Sequence, residues 1–306
     1  MVTEHPAKRW KFAALTAPMI LSVHVAAAQV QTGSPFSPAS DRQSDLRAQE
    51  PASRDPRNET PPDFTRLIEE TQEELTRRPN DADLRFRLAF ALEQRGDIDR
   101  AMQEYRTLIE LAPGHVWARN NLGVLHAKRG EYDEAIGRFG EALFRDPQHE
   151  TARLNSALMF LKIGDTDAAL RQFRLLLKIN PKHVEGLTGF GRLLLDQGDL
   201  DGSLVQFREA VAIDPQSATA YWFLGKAHMK KGEVHEAVSA YRRAVQLRPQ
   251  EAALRYEFAL ALEADGRRPD AVREMRRVLD LPPMPVGNGT SRSLAEAALR
   301  RWRAAP

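Results

Sequence analysis

Cysteine is absent from the 306-residue chain. Its absence excludes disulfides, thiolate metal sites, covalent haem attachment, a cysteine nucleophile and a lipoprotein anchor built on that residue. Long apolar runs are missing too. The longest, FAALTAPMILSVHVAAA at 12–28, falls short of the ~20 residues that span a bilayer and is interrupted by Pro18 and His24. No glycine-rich phosphate loop, nucleophile elbow or HExxH motif occurs, so the chain offers no recognisable catalytic constellation. Neither sign of charge dominates, with 44 Lys and Arg against 42 Asp and Glu. A nucleic-acid or anionic-membrane partner would need a concentrated basic face, and none is expected. No cofactor, metal or small-molecule substrate is expected either.

The N-terminus places Lys8, Arg9 and Lys11 before that short apolar run, which ends in Ala26-Ala27-Ala28. A cationic head, an apolar middle and a small-residue exit read as a secretory signal peptide over 1–28, cleaved after Ala28. An uncleaved membrane anchor is the competing reading. Residues 29–62 follow with six prolines, many Ser, Asp and Arg, and few large apolar side chains. Such a segment cannot bury enough surface to offset its ordering entropy and reads as a linker. Asn58-Glu59-Thr60 and Asn288-Gly289-Thr290 fit a glycosylation acceptor, a tripeptide common by chance.

Beyond the linker the chain keeps a strict period. Prolines fall at 79, 113, 147, 181, 215, 249 and 283, glycines at 96, 130, 164, 198, 232 and 266, all 34 residues apart. Ala101, Ala135, Ala169, Ser203, Ala237 and Ala271 repeat the same interval. Internal repetition at this length means a solenoid of stacked units. Each position has a physical task. In residues 116–149, Gly130 follows a helical pattern and accepts the left-handed conformation that closes a helix. Asp133 is placed to cap the next helix. Ala135 admits a neighbouring helix, Phe139 fills the space one turn on, and Pro147 stops the helix.

These residues resemble the tetratricopeptide repeat family. Residues 116–149 carry Leu122-Gly123, Gly130, Ala135, Phe139, Ala142 and Pro147. Residues 218–251 carry Tyr221, Leu224-Gly225, His228, Gly232, Ala237, Tyr241, Ala244 and Pro249, and 184–217 carry Phe190-Gly191, Gly198, Ser203, Phe207, Ala210 and Pro215. Units 82–115, 150–183 and 252–285 are in register but depart more from the pattern. Arg119 stands where the family has an aromatic, Ser156 where it has Leu, and Met275 where it has an aromatic. The resemblance implies an all-α fold, a right-handed α-solenoid of six tandem helix-turn-helix units. A leading helix of an incomplete unit is expected at 63–81. A turn and a C-terminal capping helix are expected at 286–306, with Ser291 as its cap and Leu294, Ala298 and Trp302 as its buried stripe.

The resemblance also implies a concave wall lined by the first helix of each unit. Carried over, it names Phe86, Phe90, Trp117, Asn120, Asn121, Val124, Leu154, Leu158, Arg192, Trp222, Lys226 and Tyr256 as partner-binding residues. The early units are apolar there, and the later ones carry Arg192, Lys226 and Lys230. That suits an extended or helical peptide with apolar anchors and an acidic part. For Phe86, Phe90 and Leu154, packing against the neighbouring first helix is the alternative. Trp222 is expected to face the groove because Tyr221 fills the core position. The family's carboxylate clamp for chaperone tails is absent. Asn121 matches its middle position, but Phe86 and Phe90 precede it, and Thr151 and Asn155 follow. His115, His149 and His183 recur at the repeat interval, too far apart to share a metal, and read as polar loop residues. The expected function is a non-enzymatic, exported scaffold for a peptide or protein partner. It would be periplasmic or secreted in a bacterium, or membrane-held if the signal stays. The alternative is a permanent accessory subunit of an envelope assembly or secretion complex.

Overall fold

The computed structural model describes residues 64–281 and 288–304. The expected signal at 1–28, the linker at 29–62 with Asn58, and Pro283 and Pro285 lie outside the described residues. Among the described residues there are fourteen helices and no strands. Helix α1 (Phe64–Arg77) leads. Six first helices follow: α2 (Ala82–Arg95), α4 (Val116–Lys128), α6 (Glu150–Ile163), α8 (Val184–Asp196), α10 (Ala218–Lys231) and α12 (Ala252–Ala264). Each is followed by a second helix: α3 (Ile98–Leu111), α5 (Tyr132–Arg145), α7 (Thr166–Ile179), α9 (Leu200–Ile213), α11 (Val234–Leu247) and α13 (Arg268–Asp280). Helix α14 (Asn288–Ala304) closes the array, packed on α12 and α13. Helices pack mainly on their chain neighbours, giving an all-α solenoid. The first helices α4, α6, α8 and α10 also touch in succession more extensively than the second helices do, so they form the inner, tighter curve.

The turn between paired helices is made by glycine. The residues with positive φ among those described are the six ladder glycines, Gly130 at 79° among them. The ladder alanines and Ser203 are fully buried. So are the rings of Tyr105, Phe139, Phe173 and Phe207, with Tyr241 and Met275 in the same position. A Cβ at Gly123 would come within 2.7 Å of the Phe139 ring. Glycine in the first helix is thus what lets the second-helix aromatic lie flat on its partner's backbone.

Cap positions differ from expectation. Asp133 is not a cap, because α5 starts at Tyr132 and Asp133 lies in its first turn. The cap residue is Glu131, whose carboxylate instead reaches His126 Nδ1 at 2.6 Å and Arg129 at 2.9 Å. In the equivalent place, directly after the glycine, Asp165 and Asp199 do accept bonds, from the N–H groups of Ala168 and Gly202. At the other end, Ser291 is no cap either, since α14 already begins at Asn288 and Ser291 is buried inside it. Leu294 is 44% exposed. The buried stripe is Ser291, Ala295, Ala298, Leu299 and Trp302, and Leu294 sits to one side of its centre.

The arginines that replace an aromatic early in several units have a structural use. Arg85 bonds the Pro79 carbonyl at 2.8 Å and Glu104 of the second helix at 2.8 Å. Arg255 does the same with Pro249 and Glu274, and Arg153 with Pro147 and Gln172. Each ties the incoming turn to both helices of its unit. Arg119 makes a looser version, to the His115 carbonyl at 3.3 Å and Glu141 at 3.6 Å.

The three periodic histidines are helix caps. Nδ1 of His115, His149 and His183 accepts the backbone N–H of Ala118, Ala152 and Gly186 at 3.0, 3.1 and 3.1 Å. Asp81 and Ser217 do this work at the same repeat position. An imidazole caps only while Nδ1 is unprotonated. Burial holds the His115 and His149 imidazoles below their ordinary value of 6.5. Asp83 opposes this at His115, and Asp146 and Glu150 oppose it at His149. With the folded value depressed, the unfolded chain binds protons first. The stabilisation is complete above about pH 6.5 and is lost as pH falls below it. We expect His115→Asp/His149→Asp to retain both caps and to lose less of its melting temperature than the parent between about pH 7.5 and 5.5, each cap contributing ~1 kcal/mol. Equal losses in thermal melts at the two pH values would contradict the assignment.

Candidate functional site

The inner wall carries the twelve residues expected to bind a partner, in two groups. Phe86, Phe90, Trp117, Leu158, Arg192, Lys226 and Tyr256 are partly open to solvent. Asn120, Asn121, Val124, Leu154 and Trp222 are buried and do not line an open groove. Val124 packs with Ala127, Phe139 and Met159. Leu154 packs with Phe173 and Leu176. Trp222 does not line an open groove as the sequence suggests: it lies in the core against Phe223, with ring centroids 4.5 Å apart, and Tyr221, half-buried, packs against the same core.

The two asparagines belong to a buried polar chain that crosses four helices. Lys128 Nζ donates to Glu93 Oε1 at 2.7 Å, and the Tyr105 hydroxyl donates to Glu93 Oε2 at 3.4 Å. Asn121 Nδ2 donates to that hydroxyl at 3.0 Å. Asn120 Nδ2 donates to Asn121 Oδ1 at 3.1 Å, and Asn155 Nδ2 to Asn120 Oδ1 at 3.0 Å. Burial raises the Glu93 carboxyl above its ordinary range, and Lys128 opposes the shift. The Tyr105 hydroxyl is raised well above its usual value by burial and by Glu93.

Partly exposed rings in the early units also have internal neighbours. Phe86 lies 5.1 Å from the His115 ring, and Trp117 meets the His149 ring edge-on at 4.3 Å. Each therefore spends one side on a cap histidine and leaves part of its surface open. Farther along, Lys226 sits 4.8 Å above the Trp222 ring. Burial lowers its ammonium value, Glu257 and Asp196 oppose the shift, and Lys230 and Arg192 reinforce it. Glu257 is raised by burial and held back by Lys226. Arg192 is 3.7 Å from Asp196, and Lys230 donates to the Leu195 carbonyl at 3.2 Å. The result is an apolar stretch over α2, α4 and α6, followed by a mixed-charge stretch over α8, α10 and α12. Glu257 is a residue that the sequence reading missed. It occupies the repeat position of Asn121 and Asn155, but Gly189 and Phe223 share that position, so the column carries no clear signal.

Among the described residues, no group of three His, Asp or Glu side chains could hold a metal, and no helix is long and apolar enough to cross a membrane. A hollow of about 370 Å³ is lined by Tyr221, Leu224, His235, Glu236, Ser239 and Ala240, away from the wall described above.

The tetratricopeptide repeat family model matches residues 64–116, 120–184 and 188–252, more than half of the chain. No curated protein matches it in sequence. Among solved structures, a tetratricopeptide repeat protein from Parabacteroides merdae is similar with a TM-score of 0.58 at 18% identity, over 77% of this chain and 88% of that one. The Cut9–Hcn1 hetero-tetramer of the APC/C is similar with a TM-score of 0.63 at 16% identity, over 76% of this chain and 46% of that one. YrrB, described as a repeat protein with an unusual peptide-binding site, is similar with a TM-score of 0.50 at 23% identity, over 65% of this chain and 99% of that one. At these identities the likeness is one of fold, and it agrees with the helix pairing and the positive-φ glycines seen here. The chain belongs to the tetratricopeptide repeat family.

Proposed function

We propose that this chain is an exported, non-enzymatic scaffold whose inner wall binds an extended peptide or a segment of a partner protein. The family's general use as a protein-binding scaffold supports the class. The observation that carries the finer reading is the order of side chains along the wall. Phe86, Phe90, Trp117 and Leu158 stay partly open in the early helices, and Arg192, Lys226 and Lys230 on α8 and α10 outnumber the neighbouring carboxylates of Asp196 and Glu257. Apolar anchors at one end and acidic side chains at the other fit that order. Export rests on the sequence pattern at 1–28, and sequencing the N-terminus of the protein from its native host tests it.

Binding is tested with a random 12-residue peptide library selected on the purified protein. Selected sequences should combine apolar residues with Asp or Glu. Trp117→Ala should weaken the best of them by about tenfold, equal to ~1.4 kcal/mol. Arg192→Ala/Lys230→Ala should weaken them and flatten the salt dependence. Binding that ignores both variants while the helicity is unchanged would refute the groove assignment.

A further inference from the structure

The outward face of α5 lacks the arginine that every other second helix carries at its middle position. Phe144 is 82% exposed, the most open of the large apolar side chains among the described residues. Gly140 and Gly137 lie on the same face, one and two turns before it. A Cβ at either glycine would meet nothing within 4 Å. This fold therefore does not require them, and each lowers helix stability relative to alanine. The internal repeat supplies the control. At these three positions α3 has Gln103, Arg106 and Glu110, and α7 has Arg171, Arg174 and Lys178. α11 has Ser239, Arg242 and Gln246. α13 has Arg273, Arg276 and Asp280, and α9 has Val205, Arg208 and Ala212, with Val205 57% exposed. The middle position is thus an arginine in all five other second helices and Gly140 in α5, and the packing of the solenoid itself does not explain the bare face with its protruding ring.

We infer that α5 docks on α5 of a second copy of this chain, antiparallel, about a two-fold axis. The face is complementary to itself. Reversing one helix over the other places each Phe144 ring on the bare backbone at Gly137 and Gly140 of its partner. The same reversal brings the acidic first turn, with Asp133 and Glu134, to the C-terminal end that carries Arg145. Arg145 rests only against its own Phe144 ring, 5.8 Å from the centroid, and Asp133 and Glu134 make no ion pair among the described residues. The antiparallel helix dipoles add to the match. An isologous contact of this kind closes on two copies and leaves the inner wall free. One helix face provides less than the ~800 Å² per partner of a standard interface, so the dimer is reversible and concentration-dependent.

Sedimentation velocity of the purified protein from about 1 μM to 1 mM reads this directly. The parent should shift from monomer to dimer across the range. Phe144→Glu and Gly137→Gln should each remain monomeric, with unchanged helicity and with melting unchanged or, for Gly137→Gln, raised. Asp133→Arg and Arg145→Asp should each dimerise at least tenfold more weakly, and mixing the two should restore a heterodimer. A parent monomeric throughout overturns the inference, as does a dimer indifferent to Phe144→Glu. Flotation with phosphatidylglycerol vesicles by a chain that never self-associates would also overturn it and assign the ring to a lipid surface.

Discussion

Ala135→Arg unfolds the middle of the solenoid. Ala135 has no exposed surface and packs with Val124 and Ala127 of α4, Phe139 of its own helix and Met159 of α6. Helices α4, α5 and α6 all contribute to that cluster. Arginine cannot fit without displacing one of them, and overpacking alone costs ~1–3 kcal/mol. Its charge would enter a site lined by apolar atoms, which adds several kcal/mol when no partner is present. The total exceeds about 4 kcal/mol, and because each unit is stabilised by its neighbours the loss spreads along the array. Circular dichroism should show a lower or split melting transition, and hydrogen exchange should show lost protection in α4, α5 and α6. Ala135→Ser is the control. Ser203 occupies the equivalent place, fully buried, with its hydroxyl donating to the Leu200 carbonyl at 2.8 Å. It should cost no more than ~1 kcal/mol. An Ala135→Arg protein with the parent's melting curve would show that the repeat register is misassigned.

The features legible in the sequence are those fixed within one unit. A left-handed turn at Gly130, a helix stop before Pro147 and a small residue at Ala135 each follow from local geometry, and six copies average out the noise. Burial along the inner wall depends on how successive units are tilted, which no single unit encodes. Hence Trp222 and Val124, expected on the groove, lie in the core, and at Leu154 the packing alternative holds. Asn120 was read as a groove residue for the same reason, since its bonds run to Asn121 beside it and to Asn155 in the next unit. Some of the missing content was present as a column rather than as a motif. His115, His149 and His183 share a repeat position with Asp81 and Ser217, both ordinary capping residues, and that company identifies the histidines as caps. Leu294 was misplaced for another reason. A spacing of four drifts around a helix, so Leu294, Ala298 and Trp302 cannot all lie at the centre of one stripe.

Lys128→Met should destabilise the first units by about 3 kcal/mol, because it leaves the Glu93 carboxylate buried without a counter-charge. The Glu93 side chain has no exposed surface, whereas Lys128 keeps 37% of its own in water. That solvent access places the loss at the low end of the range for a broken buried pair. The remaining partner, Tyr105, is 3.4 Å away and is itself shared with Asn121. The pH dependence identifies the cause. Burial already raises the Glu93 carboxyl, and Lys128 is the first of the groups that hold it down. Removing Lys128 lifts it further, so the folded variant binds a proton more readily than the unfolded chain. Stability from a raised carboxyl is present below its unfolded value, near 4.5, and is lost as pH rises through the folded value. The deficit of Lys128→Met relative to the parent should thus be largest at about pH 8 and shrink toward about pH 5 in urea titrations. Glu93→Leu/Lys128→Met removes both charges and should recover much of the loss, although Tyr105 then forfeits its acceptor. A deficit of the same size at both pH values, or a double variant no better than Lys128→Met, would mean that Lys128 stabilises the fold through its methylene packing and that the buried carboxylate is indifferent to it.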